Sequence, residues 1–123
     1  MNVVTLTGNL TKDPELKTIE VNGKSIGVVN FCIATSRFFK KADGSRDKDV
    51  TFIQCEAWDS GAETISKIFK KGDPMLLQGS LKVEQWEKDG IKRTSTKVRV
   101  NTFEKLARFT KSEETLTETP ISE

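Results

Sequence analysis

Apolar and polar residues alternate along most of the chain before residue 103, with the period of two that side chains on a β-strand follow. Glycine, proline and polar pairs interrupt this alternation and divide it into candidate strands. The predicted strands are residues 2–10, 16–21, 26–35, 50–58, 74–86 and 92–102. Asn22-Gly23 predicts a tight hairpin before the third of them, and Asp89-Gly90 predicts another between the last two. Gly8 predicts a bulge or bend in the first.

Two segments break the strand pattern. Residues 36–49 are polar and charged, with Asp43-Gly44 near the middle, which predicts a long hairpin loop. Between residues 60 and 72 the apolar spacing becomes that of a helix. The apolar stripe consists of Ala62, Ile65, Ile68 and Phe69. Ser60-Gly61-Ala62-Glu63 has the form of a helix-start capping box, and Lys70-Lys71-Gly72 suits a helix end.

The opening third is predicted to be a β meander, and we interpret the order of the main elements as three strands, a helix and two further strands. This order predicts an all-β protein with the OB-fold: a five-stranded Greek-key barrel with one short helix between strands 3 and 4. We expect the barrel domain to occupy residues 1–109 and residues 110–123 to form a short, acidic, flexible tail. A fold of this kind does not by itself fix a function.

Length and composition limit the possible functions. A chain of 123 residues has room for one domain with one core. No apolar run approaches the ~20 residues that cross a bilayer, and the N-terminus enters a strand without a secretory signal, so we expect an intracellular protein with no membrane role. There is no histidine, which removes the usual Cys/His zinc sites and the histidine-assisted nucleophiles. Cys32 and Cys55 are expected to be small buried hydrophobes, and we predict no metal, no cofactor and no enzymatic activity.

The net charge of +2 is unevenly distributed. Beyond Lys111 the chain has no basic residue and four acidic ones, Glu113, Glu114, Glu118 and Glu123. The remainder, with 20 basic and 14 acidic residues, therefore carries +6. That charge is modest for a nucleic-acid binder, so the functional argument depends on where the aromatic residues lie.

Strand parity places large aromatic residues on faces that are otherwise polar. The apolar sets are Ile53, Cys55 and Ala57 in residues 50–58, and Leu77, Leu81 and Val83 in residues 74–86. Phe52, Trp58 and Trp86 are left on the other face. They share it with Gln54, Glu56, Gln78, Ser80, Lys82 and Glu84.

Basic residues are predicted to lie beside these aromatics. In residues 92–102 the inner positions are Val98 and Val100, so the outer ones are Arg93, Lys97 and Arg99. The predicted loop adds a second cluster, Arg37, Phe38, Phe39, Lys40 and Lys41. Rings interleaved with cations suit an unpaired nucleic-acid strand, because bases stack on the rings while the cations follow the phosphates.

Each of these features has a second interpretation. An aromatic residue on a polar face can fill a subunit interface, and the charged loop can simply be solvated. Three acidic residues offset its cations, Asp43, Asp47 and Asp49. Lys70-Lys71 is also a favourable end for a helix. Two rival functions keep the same fold: a protein-interaction OB domain, such as a replisome or primosome adaptor, and an RNA-binding OB domain.

The chain resembles the bacterial-type single-stranded DNA-binding proteins over about residues 2–106. The matching motifs are Thr7-Gly8-Asn9-Leu10, Asp13-Pro14-Glu15, Ile33-Ala34-Thr35-Ser36, the strand ending at Trp58, Lys70-Lys71-Gly72-Asp73, and Gly79-Ser80-Leu81 leading to Trp86. The resemblance implies base stacking on Phe39, Phe52, Trp58 and Trp86, with Phe38 as an additional aromatic. Phosphate contacts are assigned to Arg37, Lys40, Lys41, Lys70, Lys71, Lys82, Arg93, Lys97 and Arg99.

The resemblance also implies a biological setting. Members of that family bind single-stranded DNA without sequence preference, assemble as homo-oligomers, usually tetramers, and protect exposed strands in replication, recombination and repair. We expect the same here, in the cytoplasm of a bacterial cell or a phage-infected host, with recombination or replication proteins as further partners. The family usually has a long linker and an aspartate-rich tip with a final phenylalanine, whereas this chain ends Pro120-Ile121-Ser122-Glu123. Such a compact chain resembles members encoded by phages or mobile elements.

Overall fold

The computed structural model describes residues 1–107. They form β1 Val4–Leu10, β2 Glu15–Val21, β3 Lys24–Lys40, β4 Arg46–Trp58, α1 Asp59–Ile68, β5 Pro74–Lys88 and β6 Ile91–Lys105. The helix lies where the sequence predicts it, before the last two strands. The predicted tail, residues 110–123, and the last two residues of the predicted barrel domain lie outside the described residues.

Five of these strands close into a barrel. The sheet order is β1-β5-β6-β4-β3-β2, and an additional pairing of β1 with β3, which places Leu10 opposite Ile33, closes the ring. β4 and β6 run parallel, with Cys55 opposite Val98, while the other pairs within residues 1–107 are antiparallel. The predicted five-stranded barrel, with a helix between its third and fourth strands, is confirmed. Residues 15–21 form an extra strand that lies outside the ring and pairs with β3.

The barrel interior is filled by the inward residues of the strands and by the buried side of the helix. The core consists of Leu10, Val29, Phe31, Ile33, Cys55, Ala57, Ala62, Ile65, Phe69, Met75, Leu77 and Val98. Just beyond α1, Phe69 meets Phe103 edge to face, with ring centroids 5.9 Å apart. The inner sets predicted for β4 and β6 are confirmed, since Cys55, Ala57 and Val98 are buried.

Two strand pairs continue beyond the ring as two-stranded arms. The β3–β4 arm comprises residues 36–50, and the β5–β6 arm comprises residues 83–96. The predicted loop over residues 36–49 is therefore wrong: β3 runs to Lys40, β4 begins at Arg46, and a short turn joins them. Both faces of this arm are largely solvent-exposed, so no apolar set marks an inner face and the strand period is invisible in the sequence.

The helix differs from its prediction at both ends. It begins at Asp59 with Trp58 as the N-cap, and no side chain caps it, so the predicted capping box is not used. Ile68 belongs to the predicted apolar stripe but is exposed, because the helix ends there and extended backbone at Phe69 turns the next ring into the core. The ten residues of α1 do not suffice to cross a membrane, and the described part of the chain contains no helix that does.

Two strand predictions also need correction. Leu81 and Val83 have the inward parity of β5 but are exposed, because β5 has left the ring at this point and pairs with β6 alone. Of the bulge or bend predicted at Gly8, the bulge is excluded, since β1 pairs with β5 in unbroken register. Instead, β1 and β3 approach each other so closely there that a Cβ on Gly8 would lie 2.8 Å from the carbonyl oxygen of Ala34.

Candidate nucleic-acid interface

The outer face, meaning the side of β4, β5 and β6 turned away from the core, carries the predicted aromatic residues. Phe52 lies on β4 with 66% of its surface exposed, and Trp58 is half-buried at the end of the same strand. Trp86 is 47% exposed on the β5–β6 arm, where it lies opposite Arg93. Strand alternation explains all three positions, because their sequence neighbours on β4 and β5 point the other way.

A buried carboxylate lies in the middle of this face. Glu56 is two residues from Trp58 on β4 and only 3% exposed, although its strand parity directs it outward. Its Oε2 accepts hydrogen bonds from Trp58 Nε1 at 3.0 Å and from Arg99 Nε at 2.9 Å. Its Oε1 forms an ion pair with Lys97 Nζ at 2.9 Å. Three side chains from β4 and β6 therefore cover one carboxylate.

Arg99 is placed beside Glu56 by the parallel pairing of β4 and β6, which makes the two residues direct neighbours. Its guanidinium carbon lies 4.6 Å from the centroid of the Trp58 ring. This is a cation–π contact in which the guanidinium covers one face of the indole. Trp58 therefore has one ring face occupied by Arg99 and its N–H bound by Glu56.

The pKa values of Glu56 and Lys97 are shifted in the directions that favour their charged forms. Burial acts to raise the pKa of Glu56, but hydrogen bonds from Lys97 and Trp58, together with the charges of Lys97 and Arg99, outweigh it and lower that pKa. The pKa of Lys97 is raised, first by its hydrogen bond to Glu56 and then by that to Glu84. Both groups are thus held in their charged forms at neutral pH.

Lys97 is shared between two carboxylates. Besides Glu56, it forms an ion pair of 2.9 Å with Oε1 of Glu84, which lies on the β5–β6 arm. The cluster of Glu56, Glu84, Lys97 and Arg99 thus contains two cations and two anions. Lys82 is the direct cross-strand partner of Lys97 on the outer face, and no ion pair of the described residues includes it.

The β3–β4 arm presents its two phenylalanines on opposite faces. Its register places Phe38 opposite Lys48, on the face that also carries Phe52, and Phe38 is 69% exposed. Phe39 has the opposite parity, is 38% exposed, and has the guanidinium carbon of Arg37 5.9 Å from its ring centroid. The structure therefore groups Phe38, rather than Phe39, with Phe52.

The remaining basic residues of the predicted site are spread over the molecule. Lys41 forms an ion pair of 3.4 Å with Asp47 at the end of the β3–β4 arm. Lys70 and Lys71 lie in the connection between α1 and β5, where their backbone N–H groups donate to Asp73 and Asp13. This connection precedes Pro74, which lies at the opposite end of β5 from Trp86, at most roughly 40 Å away along the strand at ~3.3 Å per residue. The structure thus does not bring Lys70 and Lys71 together with Trp86.

The two cysteines do not form a site of their own. Cys55 is buried, and burial raises the pKa of its thiol to about 12, which keeps it protonated and unreactive. Cys32 is only partly buried, so its predicted burial is wrong in degree. No group of three or more His, Cys, Asp or Glu residues is arranged to hold a metal ion within residues 1–107.

Sequence reasoning missed the role of Glu56. Parity placed it on the outer face, where an isolated glutamate on a strand is expected to be solvated. Its burial depends on Arg99 and Lys97, and the β4–β6 pairing that brings these three together joins residues 43 positions apart. The one local signal is the Glu-x-Trp spacing, because two residues apart on a strand means the same face.

Comparison with known proteins gives a consistent assignment. A family model described as "Single-strand binding protein family" matches residues 1–106. A single-stranded DNA-binding protein of Fusobacterium nucleatum is 40% identical over 95 residues, which cover 77% of this chain and 60% of the relative. One of Deinococcus radiodurans is 36% identical over 109 residues, covering 88% of this chain and 35% of the relative. The chain thus spans between about a third and two-thirds of the length of these relatives.

Solved structures show the same fold. A deletion mutant of the single-stranded DNA-binding protein from Thermus aquaticus superposes with a TM-score of 0.73 at 25% identity, over 87% of this chain and 51% of that one. A Plasmodium falciparum protein in complex with single-stranded DNA superposes with a TM-score of 0.75 at 21% identity, over 87% of this chain and 96% of that one. The OB-type barrel is therefore shared with proteins of this kind.

Proposed function

The chain belongs to the single-strand binding protein family, and from this premise we propose that it binds single-stranded DNA without sequence preference on its outer face. The observation that carries the proposal is the exposure of Phe52 and Trp86 on the face that carries Lys82 and Arg93. Exposed aromatic rings that share a face with basic residues are typical of a surface that binds an unpaired nucleic-acid strand. Bases of an unpaired strand offer flat apolar faces to such rings, whereas a duplex hides them.

The proposed contacts divide into stacking and phosphate neutralisation. Bases stack on Phe52, Trp58 and Trp86, and on Phe38 because it shares the face of Phe52. Phe39 is a further stacking position in this proposal, on the opposite face of the β3–β4 arm. Each base stacked on an aromatic side chain is worth ~1–3 kcal/mol by alanine substitution. The phosphates are neutralised by basic residues chosen from Arg37, Lys40, Lys41, Lys70, Lys71, Lys82, Arg93, Lys97 and Arg99. Residues 1–109 form the binding domain in this proposal, and the acidic residues 110–123 follow it as a tail.

The setting proposed for this activity follows the family. The protein forms a homo-oligomer, a tetramer in this proposal, and protects exposed strands during replication, recombination and repair in the cytoplasm. Recombination or replication proteins are its further partners. Leu81 and Val83 support the self-association, because they are exposed on the side of the β5–β6 arm opposite Trp86. Light scattering after size-exclusion chromatography tests this point: a monomeric mass at micromolar concentration contradicts it.

Titration with oligo(dT), followed by tryptophan fluorescence, tests the proposed function. Trp58 and Trp86 are the only tryptophans and there is no tyrosine, so the signal comes from these two rings. We expect quenching that saturates at a fixed number of nucleotides and partly survives added salt. Competition with an RNA oligomer of matched length separates DNA from RNA binding. A folded protein that leaves the anisotropy of labelled oligo(dT) and its own fluorescence unchanged refutes the proposal and favours a protein-interaction domain.

A further inference from the structure

The basic set proposed for phosphate contacts contains two residues that are already neutralised. Lys97 is bound by Glu56 and Glu84, its side chain is only 20% exposed, and Arg99 is bound by Glu56. The shared partner, Glu56, is buried on the outer face rather than in the core, so its cost of desolvation is incurred within the proposed DNA surface. A buried carboxylate there, covered by three donors, requires an explanation beyond packing.

We propose that Glu56 is a positioning residue of the DNA-binding face: it holds Trp58 and Arg99 together as one stacked unit and withholds Lys97 and Arg99 from the phosphates. The inference rests on the proposed function and refines it. Phosphate neutralisation then falls to cations such as Lys82 and Arg93, for which the described residues provide no carboxylate partner. In this proposal Trp58 is held in one orientation and stacks on a base, whereas Lys97 and Arg99 neutralise Glu56 and do not bind phosphates.

The geometry of Trp58 supports the first half of this proposal. The bond from Nε1 to Glu56 fixes the rotation of the indole, and the guanidinium of Arg99, 4.6 Å from the ring centroid, occupies one of its faces. Because Arg99 Nε binds the same carboxylate oxygen, Glu56 sets the position of ring and guanidinium together. A base that stacks on the ring face opposite Arg99 therefore meets an indole that is already ordered, which reduces the entropic cost of binding.

A comparison of two lysines supports the second half. Lys82 and Lys97 are direct cross-strand partners on the outer face, so a DNA strand that crosses this point meets both. Lys97 has two carboxylate partners at 2.9 Å, while Lys82 has no ion pair within the described residues. A phosphate that takes Lys97 must displace Glu56, which would then be left buried with one fewer counter-charge. A phosphate that binds Lys82 does not have to displace a carboxylate of the described residues.

The salt dependence of oligo(dT) binding tests this inference, because its slope counts the phosphates that the protein neutralises, at about −0.7 per phosphate on a single strand. We expect Lys82→Gln to make the slope shallower by about 0.7 and Lys97→Gln to change it by much less. We expect Glu56→Gln to release Lys97 and Arg99 and to steepen the slope by about 0.7–1.4. If Lys82→Gln and Lys97→Gln make the salt slope shallower by the same amount, the proposal is overturned.

A matched control separates this effect from a simple gain of charge. Glu87→Gln raises the net charge by the same amount, and Glu87 lies on the β5–β6 arm with no ion pair among the described residues. We expect its slope to stay within experimental error of the native slope. If Glu56→Gln steepens the slope no more than Glu87→Gln, the carboxylate does not withhold these cations and the proposal fails.

The positioning role has its own readout. In a Trp86→Phe background, Trp58 is the only fluorophore. We expect Glu56→Ala to reduce the quenching of Trp58 by oligo(dT), because the indole N–H loses its acceptor. Glu56→Gln retains an amide oxygen that accepts this bond, so it should restore the quenching while it still steepens the salt slope. Equal quenching in all three proteins overturns the positioning role.

The outcomes also separate this inference from the proposed function. If the native protein does not bind oligo(dT), there is no DNA face for Glu56 to organise, and both proposals fail. If it binds and the slopes do not move as expected, the inference alone fails. Circular dichroism verifies that each variant is folded. Should Glu56→Gln not fold, Lys82→Gln still tests the charge argument, because Lys82 has no ion pair among the described residues, and an unchanged salt slope in that variant overturns the proposal.

Discussion

The two tryptophans lie on the same outer face, but one belongs to the barrel wall and the other to an arm. Trp58 is half-buried, its N–H is bound by Glu56, and Arg99 covers one of its ring faces. Trp86 is 47% exposed on a two-stranded arm, and within residues 1–107 no hydrogen bond reaches its indole. The wall therefore holds its ring in place before any ligand arrives, whereas no hydrogen bond of the described residues fixes the ring on the arm.

This difference has an energetic consequence. A ring that the fold already holds loses little conformational freedom on binding, while an immobilised free side chain costs ≈ 0.5–1.5 kcal/mol. In the wall, the contacts that order the Trp58 ring, with Glu56 and Arg99, also belong to the folded structure. A substitution there should therefore affect stability as well as binding. Removal of an exposed side chain on the arm should weaken binding with little change in stability. We expect a similar contrast between wall and arm for glycine positions and for carboxylates.

The largest expected effect comes from a glycine on the wall. A Cβ on Gly79 would collide with the backbone carbonyl of Arg99, at the point where β6 skips Asn101 in its pairing with β5. We expect Gly79→Ala to lower the free energy of unfolding by about 3 kcal/mol or more, because a backbone atom must move. The arm offers the control. Gly90, at the turn, has a φ of +77° and no atom within 4 Å of the position that a Cβ would take, so Gly90→Ala should cost only about 1–2 kcal/mol of backbone strain.

Urea unfolding of the two glycine variants measures this difference directly. Gly79→Ala should also displace Arg99, the neighbour of Glu56 and Trp58, and so should weaken oligo(dT) binding in the molecules that remain folded. Gly90→Ala should leave the affinity near the native value. Equal destabilisation by the two substitutions would contradict the view that the wall is close-packed and the arm is not.

Removal of each tryptophan should separate stability from binding. Trp58→Ala leaves Glu56 without one donor and opens space beside Arg99, so we expect a loss of roughly 2–4 kcal/mol in the free energy of unfolding, somewhat less than the ~3–5 kcal/mol for a fully buried ring. Trp86→Ala should change that quantity by no more than about 0.5 kcal/mol. Both should weaken oligo(dT) binding, by ~1–3 kcal/mol for each stacked base that is lost. Thermal unfolding and anisotropy titrations of both variants provide the test, and a stability loss from Trp86→Ala as large as that from Trp58→Ala would contradict it.

The wall was also the easier region to predict from sequence. Alternation reveals a strand when one of its faces is buried, and Ile53, Cys55 and Ala57 supply such a face on β4. Residues 36–49 lack one, because that arm is solvated on both sides, and they were predicted as a loop for this reason. Leu81 and Val83 show the converse error, since their apolar character suggested a core that the arm does not have.

The candidate site divides in a similar way. Local parity sufficed to place Phe52, Trp58 and Trp86 on the outer face. The burial of Glu56 requires the parallel pairing of β4 with β6, a long-range contact that no local pattern encodes. Likewise, the sequence presents Lys82 and Lys97 as equivalent basic residues, and only the positions of Glu56 and Glu84 distinguish them.

The smallest expected effect is the acid dependence of stability, which again should arise on the wall. The pKa of Glu56 is lowered in the folded protein from its ordinary value of 4.5, because the hydrogen bonds and charges of Lys97, Trp58 and Arg99 outweigh the opposing effect of burial. The unfolded chain therefore binds this proton more readily than the folded one. The stabilisation is fully present above 4.5 and is lost as the pH falls below that value, through the lower folded-state pKa.

Glu56→Gln has no such proton to gain, so the difference in unfolding free energy between the native protein and this variant should shrink as the pH falls from neutral to below 4.5. Glu87→Gln removes a carboxylate from the arm, where no ion pair of the described residues holds it, and its acid profile should run parallel to the native one. Urea unfolding of the three proteins at a series of pH values measures both differences. If the unfolding free energies of Glu56→Gln and Glu87→Gln depend on pH in the same way, the fold stabilises the charged form of Glu56 no more than that of Glu87. The contrast between wall and arm then does not apply to their carboxylates.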